Sequence, residues 1–501
     1  MNLRVSDWLN EPTFHEYVRS ESRRQFFASA GLSVGSAALL TMFGQDGRAA
    51  TPPTGASKTG IGAALPMTHF APKAKNVIYL HMVGGPAQMD MFDYKPKMAE
   101  YFDKDLPDSI RMGQRLTTMT SGQKRFPIAP SKFKFTQQGK AGMWMTELLP
   151  YTAKVADDLC FIRSMNTEAI NHEPAITYIQ TGNQVTGKPC IGAWMSYGLG
   201  SLNQNIPSFI VMVAQPSNTE QVQAISARLW QSGYLSGEHS GVSFRSAGDP
   251  ILYLNNPPGV TADVRRTTLD GLKQLNEMNH QLVGDPETRT RIAQYEMAFR
   301  MQTSVPEMTD LSKEDESTFK LYGDAAKKPG TFANTALMAR KLVEKGTRFV
   351  QIYHNNWDHH GNLANRMVDQ CKDVDQACYG LIQDLKRKGL FEETLVIWGG
   401  EFGRTIYSQG GVTKTNYGRD HHPRCFTMWM AGGGSKGGTI YGETDDFSYN
   451  IIKDPVHIRD FHATVLHLLG IDHEKLTFRY QGLDQKLTGV EHAKVIKALL
   501  A

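Results

Sequence analysis

Histidine and acidic side chains are concentrated in three short stretches of this sequence. Residues 354–362 read HNNWDHHGN, residues 399–405 read GGEFGRT, and residues 418–423 read GRDHHP. Five of the 16 histidines fall in the first and third stretches. Imidazole and carboxylate together are donors that suit zinc, manganese or iron, whereas magnesium and calcium favour oxygen donors alone. The pattern therefore predicts a divalent-metal site built from distant parts of the chain.

Zinc is the metal that this mixture predicts first, with manganese, calcium or iron as alternatives. His359 and His422 are the neighbours most easily confused with the histidines chosen as ligands. Two glycines precede Glu401, and their freedom would let the backbone turn so that this carboxylate enters a shared cleft. The predicted metal ligands are Asp90, Asp358, His360, Glu401 and His421.

The first of these carboxylates belongs to another stretch, GGPAQMDMFD over residues 84–93. It follows a short apolar run, residues 76–81, that reads as a buried strand entering a loop. The stretch offers both Asp90 and Asp93, and Asp93 is equally well explained as a turn or helix cap.

Two residues are predicted to act on a substrate, His172 and Arg404. His172 lies in the sequence Asn-His-Glu-Pro ahead of a helical pattern that ends at Thr181-Gly182. A group there would be near a helix N-terminus, which favours an anion. His172 could be a nucleophile, a general acid or base, or a further metal ligand, the alternative being a histidine held only by backbone. Arg404 would hold an anionic oxygen.

Alternating helical and extended patterns would position these residues. Such an alternation predicts a parallel sheet with helices on its faces, and reacting groups gather at the carboxyl ends of its strands. A charged and partly helical segment, residues 262–330, predicts an insertion or cap. The pattern gives helices over 331–345 and 364–388, and strands over 76–81, 157–164, 207–213, 347–353 and 394–398.

The N-terminal 50 residues have the features of an export signal. Paired arginines, Arg23 and Arg24, precede an uncharged stretch over residues 28–43 and a small-residue exit at 48–50. This order is typical of a signal peptide, and the arginine pair resembles the twin-arginine type, which exports folded proteins. An uncleaved anchor is the alternative. We predict a signal over 1–50, a linker over 51–65, a domain over 66–501, the twin-arginine translocase as partner, and a periplasmic or secreted location without a stable membrane span.

The overall composition excludes several other classes of protein. The chain has 501 residues, of which 40% are hydrophobic and 21% charged, and its net charge is +4. These values are those of a globular protein, and the absence of a basic block disfavours nucleic-acid binding. Five widely spaced cysteines cannot form a dense disulfide framework, and they are predicted to be small core residues.

Five segments together resemble the twin-arginine-exported domain-of-unknown-function family fifteen-oh-one, which is regarded as sulfatase-like within the alkaline-phosphatase superfamily. The resemblance covers nearly all of the chain after the signal. It implies an α/β fold of the alkaline-phosphatase and sulfatase type, a three-layer sandwich with a mostly parallel central sheet and a helical insertion. The segments are GGPAQMDMFDYKP, RSMNTEAINHEPA, YEMAFRMQTSVPE, VIWGGEFGRT and GRDHHPRCFTMWMAGGG.

The resemblance to sulfatases themselves is looser. The strand 394–398 followed by Glu401 resembles their strand plus Asp-His-Gly, which implies a ligand position for Glu401, and residues 460–471 resemble their late Asp-x-x-Pro-Thr-Leu-Leu element. His172 stands where a sulfatase carries its oxidisable cysteine, with no serine or threonine in its place. Formylglycine chemistry is therefore not expected. Phe402 replaces a histidine and implies a smaller metal sphere, with one ion or two.

The sequence thus predicts an exported metal-dependent hydrolase of phosphate or sulfate esters, including esters carried on polysaccharide. The alternative is a non-catalytic cell-surface binding protein on a decayed hydrolase fold, in which the three clusters would not converge. A metal-dependent phosphomutase or transferase of the same superfamily is disfavoured, because exported proteins meet few phosphorylated metabolites.

Overall fold

The computed structural model describes residues 63–220, 222–252 and 254–501. The predicted signal over 1–50 and all but the last three residues of the predicted linker lie outside the described residues. Within the described part, no helix combines the length and the apolar character needed to cross a membrane.

A nine-stranded sheet lies at the centre of the described structure. The described strands, numbered in chain order, are β1 (Asn76–Met82), β2 (Phe135–Gln138), β3 (Met143–Thr146), β4 (Leu159–Asn166), β5 (Phe209–Ala214), β6 (Val242–Phe244), β7 (Phe349–His354), β8 (Thr394–Gly399), β9 (Gly403–Ser408), β10 (Arg419–His422), β11 (Phe426–Ala431), β12 (Thr439–Tyr441), β13 (Glu443–Thr444), β14 (Ile451–Lys453), β15 (Val456–His457), β16 (Phe478–Tyr480) and β17 (Leu483–Gln485).

The strand order of the central sheet is β12-β4-β11-β8-β1-β7-β5-β6, with β15 paired to β4. β1 lies between β7 and β8 and runs parallel to both. Among the described strands of this sheet, β11 is the one that runs against the others, since its pairings with β4 and β8 are antiparallel. The predicted, mostly parallel sheet is confirmed. Its strands are displaced by one to three residues from the predicted bounds, as fraying at element ends makes usual.

Helices cover both faces of the sheet. They are α1 (Gln88–Met91), α2 (Asp108–Arg111), α3 (His172–Thr181), α4 (Ile191–Leu199), α5 (Ala262–Val283), α6 (Pro286–Thr309), α7 (Glu316–Tyr322), α8 (Phe332–Glu344), α9 (Leu363–Arg387) and α10 (Ile458–Leu468). The predicted helices over 331–345 and 364–388 are α8 and α9. The predicted insertion over 262–330 contains α5, α6 and α7.

Side-chain alternation along β1 separates two hydrophobic cores. Ile78 and Leu80 point into the core shared with α8 and α9, whereas Val77 and Tyr79 point into the core shared with α3, α4 and α10. A strand that is apolar on both faces is what a sheet covered by helices on both sides requires. The three-layer α/β arrangement is therefore confirmed. All five cysteines are buried and unpaired, as predicted for core residues.

One buried histidine of α10 makes the stability of the fold sensitive to acid. His462 donates or accepts at Nε2, 2.8 Å from the carbonyl oxygen of Ile179, and burial lowers its pKa to about 4. An unfolded chain takes up this proton near the ordinary pKa of about 6.5. The stabilisation from the neutral ring is therefore complete above pH 6.5 and is lost as the pH falls toward 4.

We expect His462→Gln to lose less Tm than the parent protein between pH 7 and pH 4.5, because glutamine retains an N–H for the Ile179 carbonyl and does not titrate. Thermal unfolding followed at several pH values measures this. The same substitution at His492, which is exposed, is the control. Equal acid sensitivity of parent and His462→Gln would contradict the assignment.

Candidate metal centre

Four donor side chains from distant parts of the chain converge at the carboxyl edge of the sheet. His172, Asp358, His360 and His421 each present one ligand atom, and these four atoms lie within 4.8 Å of one another. Three of them, Asp358, His360 and His421, are predicted ligands, and the fourth is the predicted catalytic histidine. It is the one group of this kind among the described residues.

Asp358 is the centre of this group. Its Oδ1 lies 2.7 Å from His360 Nε2, 3.1 Å from His172 Nε2 and 3.5 Å from His421 Nε2. His360 Nε2 and His421 Nε2 are 3.1 Å apart. Donors on one tetrahedral zinc ion are separated by about 3.4 Å, given metal–nitrogen distances near 2.0–2.1 Å. The four atoms are thus already spaced as the ligands of a single ion.

The three imidazoles are each held from behind through Nδ1. The partner of His172 Nδ1 is Glu401 Oε1 at 2.7 Å, that of His360 Nδ1 is Gln409 Oε1 at 2.5 Å, and that of His421 Nδ1 is the carbonyl oxygen of Ile170 at 2.8 Å. All three partners are acceptors, so each Nδ1 carries the proton and each Nε2 presents a lone pair. Metal-binding histidines in proteins are oriented in this way.

The inward nitrogen of His172 is an exposed deficit in this network. It is buried, and among the described residues it has no partner with hydrogen-bond geometry, although Asp358 Oδ1 is 3.1 Å away. Three imidazole lone pairs turned toward one carboxylate oxygen lack a positive charge at their centre. A divalent cation supplies that charge, and the mixed nitrogen and oxygen donors fit zinc, iron or manganese.

Charge around the group keeps Asp358 ionised. Burial alone would raise the pKa of Asp358, but the Arg404 guanidinium and hydrogen bonds from the histidines hold it well below its usual range. For His421, burial lowers the pKa to about 4, which leaves the ring neutral near pH 7. A carboxylate and neutral imidazoles are the protonation states that bind metal ions.

Glu401, predicted as a ligand, stands behind His172 instead. Its Oε1 accepts the backbone N–H of Gly84 at 2.9 Å as well as the bond from His172 Nδ1. Its Oε2 is 3.5 Å from Nε2 of His81, a fully buried histidine on β1. Glu401 therefore orients a predicted metal-binding histidine, and it lies outside the group of four.

Arg404, predicted to hold a substrate oxygen, faces inward. The side chain is completely buried, and it donates to Asp358 Oδ1 at 2.6 Å and to the carbonyl oxygens of Gly84, Gly85 and Arg419. These contacts fix Asp358 against two loops. Arg404 is therefore a positioning residue for the carboxylate.

Asp90, also predicted as a ligand, is held by a different arginine. Its Oδ2 accepts from Arg419 Nε at 2.7 Å, and its Oδ1 accepts from the Tyr417 hydroxyl at 3.0 Å. Asp93 is buried and accepts bonds from the hydroxyls of Thr444 and Ser448. Both carboxylates lie outside the group of four, and both connect the loop after β1 to later segments.

The structure also separates the paired histidines. His360 and His421 enter the group, whereas His359 and His422 do not. Nε2 of His422 is 2.6 Å from the Tyr449 carbonyl oxygen, and burial lowers the pKa of His422 to about 4. Burial likewise lowers the pKa of His359 to about 3. These two rings are neutral parts of the surrounding core.

Three elements bring the group together in different ways. Asp358 and His360 follow β7, and Glu401 follows β8, as predicted. His172 is the first residue of α3, also as predicted. The expectation that the third stretch follows a central strand is corrected, because His421 lies within β10, which pairs antiparallel with β9 in a separate two-stranded sheet. There His421 is opposite Arg404, so both side chains reach Asp358.

Two glycines permit the close crossing of these loops. Gly84 has φ +119°, and a Cβ there would collide with the backbone nitrogen of Asp358. A Cβ at Gly418 would collide with the carbonyl of His360. The glycines before Glu401 act differently from the prediction, since they have no left-handed φ, and a Cβ at Gly400 would instead overlap Pro86.

The group is nearly closed to solvent. The ring of Phe402 packs on both His172 and His421, with centroid distances of 4.9 Å and 4.6 Å. The side chains of His172 and His360 retain 11% and 16% exposure, against 4% for His421. Solvent therefore reaches the group from the side of His172 and His360.

Four contributors were not anticipated from the sequence. His81 had a usable signal, because a histidine one residue before the end of a buried strand needs a partner at that edge of the sheet. Gln409, Gln223 and the Ile170 carbonyl carry no such signal. Gln223 donates to Asp358 Oδ2 at 2.8 Å, and amides and carbonyls of this kind occur in every loop.

Fold and site together define an α/β protein with a candidate mononuclear metal centre at the carboxyl edge of a mostly parallel sheet. The sequence profile described as "Protein of unknown function (DUF1501)" matches residues 74–500. The chain belongs to this family, as the sequence resemblance predicts. Among curated proteins none matches it.

The chain is similar in structure to several solved proteins. One is the phosphonate monoester hydrolase from Silicibacter pomeroyi, with 10% identity over 85% of this chain and 76% of that one, at a TM-score of 0.33. Another is the PsFucS1 sulfatase from Pseudoalteromonas sp., with 14% identity over 85% and 72%, at 0.33. A third is alkaline phosphatase from the Antarctic bacterium TAB5, with 11% identity over 79% and 98%, at 0.29. At these values, what those proteins act on does not carry over to this chain.

Proposed function

We propose that this protein is an exported metal-dependent hydrolase of phosphate or sulfate esters, such as those carried on polysaccharide, that works in the periplasm or outside the cell. The observation that supports the proposal most is the convergence of three imidazole Nε2 atoms and one carboxylate oxygen, each held from behind. The ester class comes from the sulfatase-like sequence around β8 and Glu401. Export by the twin-arginine translocase is proposed from the N-terminal arginine pair.

The ligands in this proposal are His172, Asp358, His360 and His421. A divalent ion held there would lower the pKa of a coordinated water and polarise an ester oxygen. Arg404 keeps Asp358 ionised and in place, and Glu401 keeps the lone pair of His172 Nε2 directed inward. No serine, threonine or cysteine belongs to the group of four, so the proposed nucleophile is water.

The number of donors bears on the choice of metal. Catalytic zinc has three protein ligands and one open position, whereas four protein ligands close a tetrahedral site. If all four side chains bind, turnover requires an ion that accepts five or six ligands, such as manganese or iron, or a zinc ion that expands its sphere. The exposed edges of His172 and His360 are the sides on which a further ligand would enter.

The same closure supports a second candidate function. A four-ligand site with 4–16% exposed side chains also fits a structural ion in a non-catalytic cell-surface binding protein. The two functions differ in one measurable property, since a structural ion is retained and required for stability without any hydrolysis.

We expect the metal-loaded mature protein to hydrolyse at least one of an aryl phosphate, an aryl sulfate and a phosphonate ester. His172→Ala removes a ligand, so we expect kcat/KM to fall by at least about 100-fold, beyond the loss typical for a supporting residue. His492→Ala, at an exposed site, is the matched control and should retain full activity. A metal-loaded protein that is inactive on all three esters would favour the binding protein.

A further inference from the structure

The helix α5 is amphipathic in the reverse sense from most surface helices. Its large apolar side chains point to solvent, with exposures of 51% for Val264, 49% for Leu275 and 61% for Leu282. At about 100° per residue, these three positions lie within about 20° of one another around the helix. Leu269 is the apolar residue of α5 that is buried.

The opposite face of α5 is charged and turned toward the protein. Arg266, Asp270, Lys273 and Glu277 line a cavity of about 1060 Å³ between α5, α6 and the start of β5. Arg266 Nη2 is 2.7 Å from both Asp270 Oδ1 and Glu296 Oε1 on α6. These ion pairs fix the rotation of α5, so its apolar stripe stays outward. An exposed apolar stripe of this length marks an interaction surface.

The stripe repeats with the spacing of a helix–helix seam. Its positions alternate in steps of four and three residues, which is the spacing of core positions in a coiled coil. In order they are Val264, Thr268, Gly271, Leu275, Met278 and Leu282.

We propose that α5 pairs antiparallel with α5 of a second copy of this chain and so forms a homodimer. In that arrangement Val264 meets Leu282 of the second copy, Thr268 meets Met278, and Gly271 meets Leu275. Each small side chain thus faces a large one, twice over, about a two-fold axis. A Cβ at Gly271 would meet no heavy atom within 4 Å, so the space for the second copy's leucine is open.

The flanks of the stripe also favour a second copy over a membrane surface. They carry Thr267, Gln274 and Asn279, which are uncharged. A two-fold contact places Thr267 opposite Asn279, and no like charges meet. Helices that bind a membrane surface carry lysine and arginine along such flanks, which α5 does not.

Sedimentation velocity of the mature protein tests the proposal. We expect a dimer that becomes a monomer with Leu275→Glu. Val490→Glu, at a site that is 96% exposed and outside α5, is the matched control and should remain a dimer. Gly271→Leu should also give a monomer, because the added side chain fills the space needed by Leu275 of the second copy.

Gly271→Leu separates loss of pairing from loss of folding, since replacing glycine favours the helix. Unchanged circular dichroism with a monomeric mass is therefore the expected result. A parent protein that is monomeric at every concentration would overturn the proposal, as would a Leu275→Glu protein that stays dimeric. Binding of the monomeric parent to anionic vesicles, lost in Leu275→Glu, would overturn it in favour of a membrane partner.

Discussion

Asp358→Ala is expected to yield a protein without a bound metal ion and with a less stable fold. Asp358 Oδ1 is the one oxygen shared by all three histidines of the group, so its removal deletes the anionic ligand. It also leaves the buried guanidinium of Arg404 without its carboxylate partner. Removing one partner of a buried ion pair costs about 3–5 kcal/mol. Elemental analysis measures the first effect, and urea unfolding of the metal-free protein measures the second.

Asp90→Ala provides a matched control for this prediction. Asp90 is also buried and also paired with a buried arginine, with 2.7 Å between its Oδ2 and Arg419 Nε. We expect a similar loss of stability, again about 3–5 kcal/mol, with a full complement of metal. Two carboxylates with the same kind of partner should therefore differ in metal content alone. Loss of the ion in Asp90→Ala and its retention in Asp358→Ala would reverse the assignment of these two residues.

Glu401→Ala is expected to weaken metal binding without abolishing it. Glu401 accepts the Nδ1 proton of His172, and supporting partners of this kind are worth about 10–100-fold in metal affinity. His172→Ala removes a donor nitrogen, so its loss of affinity should be larger. Competition with a chelator at fixed pH gives the affinity of both variants and of the parent protein. This order distinguishes a supporting carboxylate from a ligand.

Glu401→Gln refines the same comparison. Glutamine can still accept the His172 proton through its side-chain oxygen, but it lacks the negative charge. We expect an affinity between those of the parent and Glu401→Ala. His81→Phe, which removes the neighbouring ring on Oε2, should have a smaller effect than Glu401→Ala. If Glu401→Ala lowers the affinity as much as His172→Ala, Glu401 is itself a ligand, as its place in the sequence first suggests.

The arrangement of helices and strands could be predicted from the sequence because the responsible patterns are local. The apolar run after Thr347 and the helical spacing over 364–388 each reflect burial on a defined face, and β7 and α9 follow them closely. The mixed direction of the sheet could not be predicted in this way. β11 is an apolar run like its neighbours, and its antiparallel direction depends on the path of the chain through β9 and β10.

The donors of the candidate site could be predicted by residue type, and their roles could not. Asp90, Asp358 and Glu401 are all buried acids near glycines. Their different roles follow from the groups they meet, which are Arg419 for Asp90, His172 for Glu401, and three histidines with Arg404 for Asp358. Each of these contacts joins residues more than 40 positions apart except the pair Asp358 and His360. Local patterns carry no information about such contacts.

Buried arginines show the same limit. Arg404 and Arg419 are surrounded in sequence by candidate site residues, which suggests contact with an anionic substrate. In the fold both are fully buried, and each one pairs with a carboxylate and with several backbone carbonyls. A guanidinium with five donors can satisfy many acceptors where two loops cross, and that is the function these contacts support.

The central claim is that one cation is bound by three imidazoles and one carboxylate. X-ray absorption at the metal edge of the mature, purified protein tests it most directly. We predict one ion per chain, with scattering from three imidazole rings and from oxygen at short distance. A correctly matured protein that holds no ion, or an ion surrounded by oxygen ligands without imidazole scattering, would contradict the claim.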